Sequence, residues 1–347
     1  MDLGYLLRAG LGVPDYWHPH LELQPDFLSG KILRYPSSMD AKADYPGQLD
    51  TDGVPVVFWG ERREACPSPA NIVLYGLGSH DVFLRTKNKR YYEQFRSVLR
   101  WLEKHSVPLG TGVGWPHDVA MPVYKLTAPW FSAIVQGLAL SLFVRAHQWN
   151  GSGPWSALAG QTWRTFQVPV AGGGFCRPVD QGVIYEEYPG PDLDCVFNGM
   201  CHALIGLWEA WRSGIVAEAQ ADFAAGVQGL RSLLPQFNQG RWSLYSLNRC
   251  LGKPLLASPY YVRANGVLAQ VIGLMADDPL FTSYGERWLK SSESVARRIT
   301  MSLRIAIDRY RKAPTMLQYD KSKRSALVAA PPLAQQGQRS GDRGGAL

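Results

Sequence analysis

Five cysteines in 347 residues, odd in number and without a C-x-x-C pair, give neither a disulfide framework nor a zinc site by pattern. Scattered at 66, 176, 195, 201 and 250, they fit reduced, mostly buried thiols. No stretch approaches 18 uninterrupted apolar residues, so no membrane-spanning helix is expected. The opening MDLGYLLRAGLGVPDYWHPH lacks the basic and apolar regions of a signal peptide, and the expected compartment is the cytoplasm. Also missing are G-x-S-x-G, GxxxxGK[ST], a G-x-G-x-x-G after a strand, and H-E-x-x-H. The glycines at 172–174 follow no clear strand, and seven dispersed histidines argue for no metal site. No fixed-period repeat is present.

A uniformly basic surface is missing too, although the net charge is +7. From Arg297 onward there are eleven Lys/Arg against three Asp, so the first 296 residues sum to about −1. A nucleic-acid reading needs a basic face within a recognisable module, and none is seen.

What is present is an ordinary globular interior, 46% hydrophobic and 19% charged, rich in aromatics with twelve Trp and sixteen Tyr. Aromatic faces stack on sugar rings, but such residues also simply fill cores. Residues 1–65 are rich in Pro, Gly and Asp and read as a small β- and loop-rich region, with an Asp-Gly turn in YPGQLDTDGVPVV. From Pro69 long helical patterns take over, at about 69–85, 89–104, 130–148, 155–166, 194–213, 217–234, 262–276 and 283–311. Loops rich in Gly, Pro and Trp separate them. Antiparallel helix pairs joined by long functional loops predict a mainly α fold, an incomplete α/α barrel or toroid over 66–312. The tail at 313–347 has little to bury and is expected to be disordered.

The stretch 183–212, VIYEEYPGPDLDCVFNGMCHALIGLWEAWR, is the most informative. Glu186 and Glu187 lie between Tyr185 and Tyr188, and Pro189, Gly190 and Pro191 force a turn. Asp192 or Asp194 is placed to cap the helix that follows. Desolvation beside a second carboxylate would raise a Glu pKa, and a nearby cation would lower that of a Tyr, bringing both toward neutral pH. A solvated acidic loop with two packing tyrosines explains the same residues.

Other segments carry the same two readings. In 125–146, Ser132 and Gln136 share one face of a largely apolar helix, either satisfying buried neighbours or lining a pocket. WSLYSLNRC and SPYYVRANG place Tyr245, and Tyr260 or Tyr261, near Arg249 and Arg263. Phenols plus guanidinium suit a carboxylated sugar, since Arg clamps a carboxylate in bidentate fashion. Tyr75 stands in a helix start beside two glycines, and Trp115 in GVGWPHD is either a sugar platform or a structural Trp.

Taken together, YGL at 75–77, GWP at 114–116, PWFSAIVQGLALSLFVRA, YEEYP followed by NG and LIGLW, and SLYSL followed by YY resemble the C-terminal domain of the D-glucuronyl C5-epimerases, the enzymes of heparan sulfate and heparosan maturation. The resemblance covers roughly 50–295. It implies an incomplete α/α barrel preceded by β structure, usually homodimeric, and a cofactor-free epimerase using Tyr and Glu. It implies Glu187, Tyr188, Tyr245 and Tyr260 as catalytic residues. It also implies Tyr75, Trp115, Gln136, Glu186, Asn198, Arg249 and Arg263 as substrate-binding ones.

Departures are clear as well. The family's Tyr-Asp-Leu-Arg is Tyr245-Ser246-Leu247-Asn248 here, with Arg249 one place later. Its Tyr-His-Thr-Thr-His becomes Tyr260-Tyr261-Val262-Arg263-Ala264, and the basic pair after GWP is missing. These losses point to a bacterial relative acting on a less charged uronic-acid polysaccharide.

The expected reaction is C5 inversion, D-glucuronate to L-iduronate, which requires two groups on opposite ring faces. Glu187 and Tyr260 are the expected pair, with Tyr188 and Tyr245 orienting or relaying protons and Arg249 or Arg263 holding the carboxylate. A uronate lyase shares the first proton abstraction, an α/α-barrel glycosidase would use the paired carboxylates for hydrolysis, and a glycan-binding protein without activity is the reading from another class.

Overall fold

Proline or a polar side-chain cap starts the helices of the first and last of four helical hairpins. In the computed structural model, which describes residues 8, 10–57, 65–151 and 153–308, α1 (Pro69–Thr86) begins on a proline at its first turn and pairs with α2 (Lys89–Lys104), whose cap is Asn88. The pairing repeats with α3 (Ala133–Asn150) and α4 (Trp155–Arg164), with α5 (Phe197–Arg212) and α6 (Ala219–Leu233), and with α7 (Pro259–Ala276) and α8 (Pro279–Glu293). Asp278 accepts from the Leu280 amide and starts α8. The chain divides into two compact units, Met1–Ser302 and Leu303–Leu347, and all four hairpins lie in the first.

The first helix of each hairpin is the inner one. α1 packs on α3, α3 on α5, and α5 on α7, while α2, α4, α6 and α8 back them from outside. The residues agree with this layering. α3 is apolar on nearly every side, with Val135, Leu138, Leu142 and Phe143 wholly buried, whereas α2 buries one stripe and leaves its charges outside. α3 and α5 touch backbone to backbone. A side chain on Gly137 would run into Ala203, and one on Gly206 into Gly137 itself, so glycine sets the spacing. The result is the expected incomplete α/α barrel.

Inner helices are entered by long connections and left by short ones. Short β segments sit in the entering connections: β3 (Val107–Leu109) with β4 (Gly112–Gly114) before α3, β5 (Cys176–Pro178) with β6 (Val183–Tyr185) before α5, and β7 (Asn238–Gln239), β8 (Trp242–Ser246) and β9 (Leu255–Leu256) before α7. Another pair, β1 (Val56–Val57) with β2 (Cys66–Pro67), precedes α1. The long loops therefore gather at one end, above the N-termini of the inner helices.

The opposite end is sealed. Arg145 of α3 makes a two-pronged ion pair with Glu209 of α5, at 2.7 and 2.8 Å, both side chains fully buried. Over it lies Tyr35 from the N-terminal region. Its amide donates to the Asp81 carboxylate of α1, its hydroxyl meets His202 Nδ1 at 2.7 Å, and its ring lies 5.5 Å from the Arg145 guanidinium. Burial pushes Asp81 well above the usual carboxylate range, while Arg145 opposes the shift.

That N-terminal region is irregular, with bridges Leu23↔Ser37 and Leu49↔Pro55 and turns of 3-10 helix. Its Asp-Gly turn forms as expected: Gly53 has φ +77° and Asp50 accepts from the amides of Asp52 and Val54. Leu21 packs on Ala264 and Val267, so the region also reaches α7.

Three expectations are corrected. The helix expected over 283–311 starts earlier, at Pro279, and breaks at Ser294, where ψ is 111°. α7 starts at Pro259 rather than 262, which makes Tyr260 and Tyr261 helical. Neither Asp192 nor Asp194 caps α5, whose cap position is Val196. The disorder expected over 313–347 lies outside the described residues.

Candidate active site

The two adjacent glutamates receive opposite environments. Just past β6, the Glu186 amide donates to the Phe175 carbonyl at 2.8 Å and its carbonyl accepts from the Ala133 amide at 3.0 Å, so the backbone is pinned where the strand ends and the chain bends at Glu187. The Glu186 carboxylate is sealed. It accepts from Arg177 Nε at 2.9 Å and from the amides of Cys195, at 2.9 Å, and Asp194, at 3.3 Å. Arg177 also donates to the carbonyls of Gly190 and Asp192, so this ion pair pins the Pro-Gly-Pro turn. Burial raises the Glu186 pKa, and Arg177 and the Cys195 amide pull it back.

Glu187 is 8% exposed where Glu186 is 0%. Its backbone is fixed by the Ser132 hydroxyl at the start of α3, which donates to its carbonyl at 2.7 Å. Its carboxylate lies against Gly199 in the first turn of α5, and Oε2 has no hydrogen-bond partner. No cation faces it. Burial pushes its pKa up to about 7, with only the Tyr188 hydroxyl opposing.

Phenols surround it. Tyr188 stacks flat on Tyr124 at 4.1 Å and 4°, with Trp130 at 5.6 Å. Tyr245, at the exposed edge of β8, feels the charge of Glu187 and the hydroxyls of Tyr188, Tyr261 and Tyr124. Its ring meets Tyr261 at 4.7 Å. Tyr188 and Tyr245 are densely surrounded yet stay partly accessible. Burial and the Glu187 charge push both phenols well above 10.0, so they are proton donors at neutral pH. The carboxylate is thus shifted in the expected direction, by burial and not by the neighbouring carboxylate. The phenols shift opposite to expectation, because burial comes first and no cation contributes among the described residues.

The other candidate residues do not converge on one point. Asn198, 9% exposed with Oδ1 unpartnered, precedes Gly199 and belongs to the site. Gln136 is fully buried on α3 near Gly114 and Phe131, both amide atoms unpartnered. Tyr260 lies one ring farther out than Tyr261, at 4.9 Å from it and 5.1 Å from His18. Arg263 turns toward the N-terminal region, donating to the Leu21 carbonyl at 2.8 Å, and Arg249 is exposed beside Gln236.

Two candidates stand apart from the cluster. Trp115 is fully buried, its indole donating to the Leu102 carbonyl at 2.9 Å and its ring packed on Phe143, which leaves no face for a sugar. Tyr75 is buried with Arg90 and Asp44 as its charged neighbours, away from Glu187. Sequence reasoning missed Tyr124, Arg177 and Gly199. Arg177 alone carried a signal, as the basic residue of a short hairpin facing the acidic pair.

A family profile described as D-glucuronyl C5-epimerase C-terminus matches residues 110–290, about half of the chain and nearly all of this site. The chain is 27% identical over 221 residues to the D-glucuronyl C5-epimerase of Caenorhabditis elegans, covering 58% of this chain and 35% of that protein. It is 22% identical over 184 residues to an uncharacterised protein of Methanocaldococcus jannaschii, covering 51% and 58%. It therefore spans only about a third of the first relative and less than two thirds of the second. Among solved structures, the cellobiose 2-epimerase of Spirochaeta thermophila is similar with a TM-score of 0.44 at 15% identity, covering 65% of this chain and 60% of that one. A D-mannose isomerase has the same score at 8% identity, covering 65% and 57%.

Proposed function

Since the chain belongs to the D-glucuronyl C5-epimerase C-terminus family, we propose that it inverts uronic acid residues at C5, D-glucuronate to L-iduronate, within a polysaccharide. The observation that carries this reading is Glu187: a buried carboxylate with a pKa of about 7 and an unpartnered oxygen, among protonated phenols. A carboxylate poised near neutrality is suited to take a proton. The substrate carboxyl group makes the C5 hydrogen weakly acidic. Glu187 removes it, the electron pair spreads into that carboxyl group, and a phenol on the other ring face returns a proton to C5.

The phenol belongs to the Tyr245, Tyr260 and Tyr261 group. Tyr261 touches Tyr245 directly, which favours it over Tyr260. Tyr188 and Asn198 flank Glu187 and can hydrogen-bond charge developing on the substrate. The reading calls on side chains alone, with no cofactor, and homodimerisation belongs to the same proposal.

The test is solvent-deuterium incorporation at C5, read by NMR, over a panel of glucuronate-containing glycans. Exchange that Glu187→Gln abolishes, with no unsaturated product, is the expected result. An unsaturated uronate would mean β-elimination instead. Binding without exchange would overturn the catalytic reading in favour of glycan binding.

A further inference from the structure

Outside the Glu187 cluster, the N-terminal end of α7 borders a recess of about 290 Å³, walled by residues of the N-terminal region, by the end of α8 and by Arg298 beyond it. Most of that wall, residues 8–20 and 292–298, lies outside the family-matched segment.

Its charges are set in advance. Arg298 is held by the carbonyls of Gly10, Ser292 and Glu293, at 3.1, 2.8 and 3.0 Å, so its cation is fixed by backbone. Arg263 is half-buried and spends only Nε on the Leu21 carbonyl. Glu22 and Glu293 act on it through their fields, and no ion pair of Arg263 is found among the described residues. Burial pulls its pKa down, the mark of a cation incompletely compensated. Arg8 is the third guanidinium on the wall. Of the two carboxylates present, Asp15 is engaged by His18, through the backbone amide at 2.7 Å and Nδ1 at 3.1 Å. Cations thus outnumber carboxylates on the wall by three to two. Burial holds His18 and His20 below their ordinary pKa, so at neutral pH they are neutral hydrogen-bonding groups.

The recess also adjoins the site. Tyr260 is part of its wall, and the rings of Tyr260, Tyr261 and Tyr245 form a continuous line toward Glu187, at 4.9 and 4.7 Å. Three phenols meeting edge to face, at 74° and 64°, and ending in a cationic hollow suit a chain of sugar hydroxyls ending in an acidic unit.

We propose that this recess is a subsite for the carboxylate of a second uronate, on a sugar farther along the same glycan, gripped by Arg263 with Arg8 and Arg298. The assignment rests on the uronate-glycan reading and extends it to residues that the family match does not cover.

The experiment is calorimetric titration of the full chain with glucuronate oligosaccharides of increasing length, and with carboxyl-reduced counterparts. The proteins compared are wild type, Arg263→Gln, Arg263→Lys and Arg8→Gln. Arg263→Gln is expected to weaken binding of the longer acidic oligosaccharides about tenfold, the size of one charge-assisted hydrogen bond. It should leave short and carboxyl-reduced ones unchanged, Arg263→Lys should recover part of the loss, and Arg8→Gln should act in the same direction. Equal weakening at every length, no weakening, or no binding by any acidic oligosaccharide would each overturn the proposal. Binding with the expected length dependence but without C5 exchange would leave the subsite standing and remove the epimerase reading, so the two fail separately.

Discussion

Gly199 lies directly beneath Glu187, so close that a methyl group on it would overlap the carboxylate and stand 2.6 Å from the Glu187 Cβ. The helix gives up a side chain to seat the base. Gly199→Ala should therefore behave unlike an ordinary helix substitution, which gains up to about 1 kcal/mol in propensity. The expected outcome is unchanged helicity by circular dichroism with C5 exchange reduced at least tenfold. Retained exchange would show that Glu187 can be seated elsewhere.

Glu187→Gln should separate activity from stability. The folded pKa of about 7 lies above the ordinary 4.5, so the folded state holds an extra proton between those values. Stability from this group is full below about pH 4.5 and lost as pH rises toward 7. The variant does not titrate. Its melting temperature should gain on wild type across that window, by an amount equivalent to roughly 3 kcal/mol at most. Wild-type exchange should rise with pH through about 7, as the base loses its proton. A flat difference between the two melting curves would deny the shift.

Arg177→Gln should be a fold variant. It leaves the sealed Glu186 carboxylate without its cation and releases the Gly190 and Asp192 carbonyls. Breaking a buried pair from one side costs about 3 kcal/mol or more. Chemical denaturation should show that loss, and Arg177→Gln with Glu186→Gln should recover part of it.

The three outer phenols should rank by nearness to Glu187. Tyr245→Phe and Tyr261→Phe are expected to lower kcat by about 100-fold or more, the usual contribution of one proton-transfer group. Tyr260→Phe should act chiefly on KM. A kcat loss confined to Tyr260→Phe would restore it as the proton donor.

The contrast between Tyr260 and Tyr261 shows where sequence reading stops. Apolar spacing and proline placed the hairpins to within a few residues, and the Glu pair on a Pro turn was visible as chemistry. But α7 begins three residues before its apolar pattern does, because Pro259 and the Ser258 cap start it. Two adjacent tyrosines on a helix point about 100° apart, and nothing local says which one faces inward. Trp115 failed similarly. A Trp between glycines and a proline looks exposed, yet the Leu102 carbonyl that holds it belongs to α2, on the far side of a hairpin turn. His18 reaches Tyr260 across more than 240 positions, which no spacing rule sees.

The ion pair of Arg145 and Glu209 under Tyr35 has a mechanical meaning. An arc of inner helices stoppered at one end is a cup, not a sleeve. A polymer cannot be drawn through a cup; it must be laid across the rim and lifted off the way it came. On the proposed uronate-glycan reading, chain ends then hold no privilege, and any sugar along a strand is as reachable as the last. Progress from one unit to the next would be sideways travel along the lip, set by how tightly the flanking sugars are held.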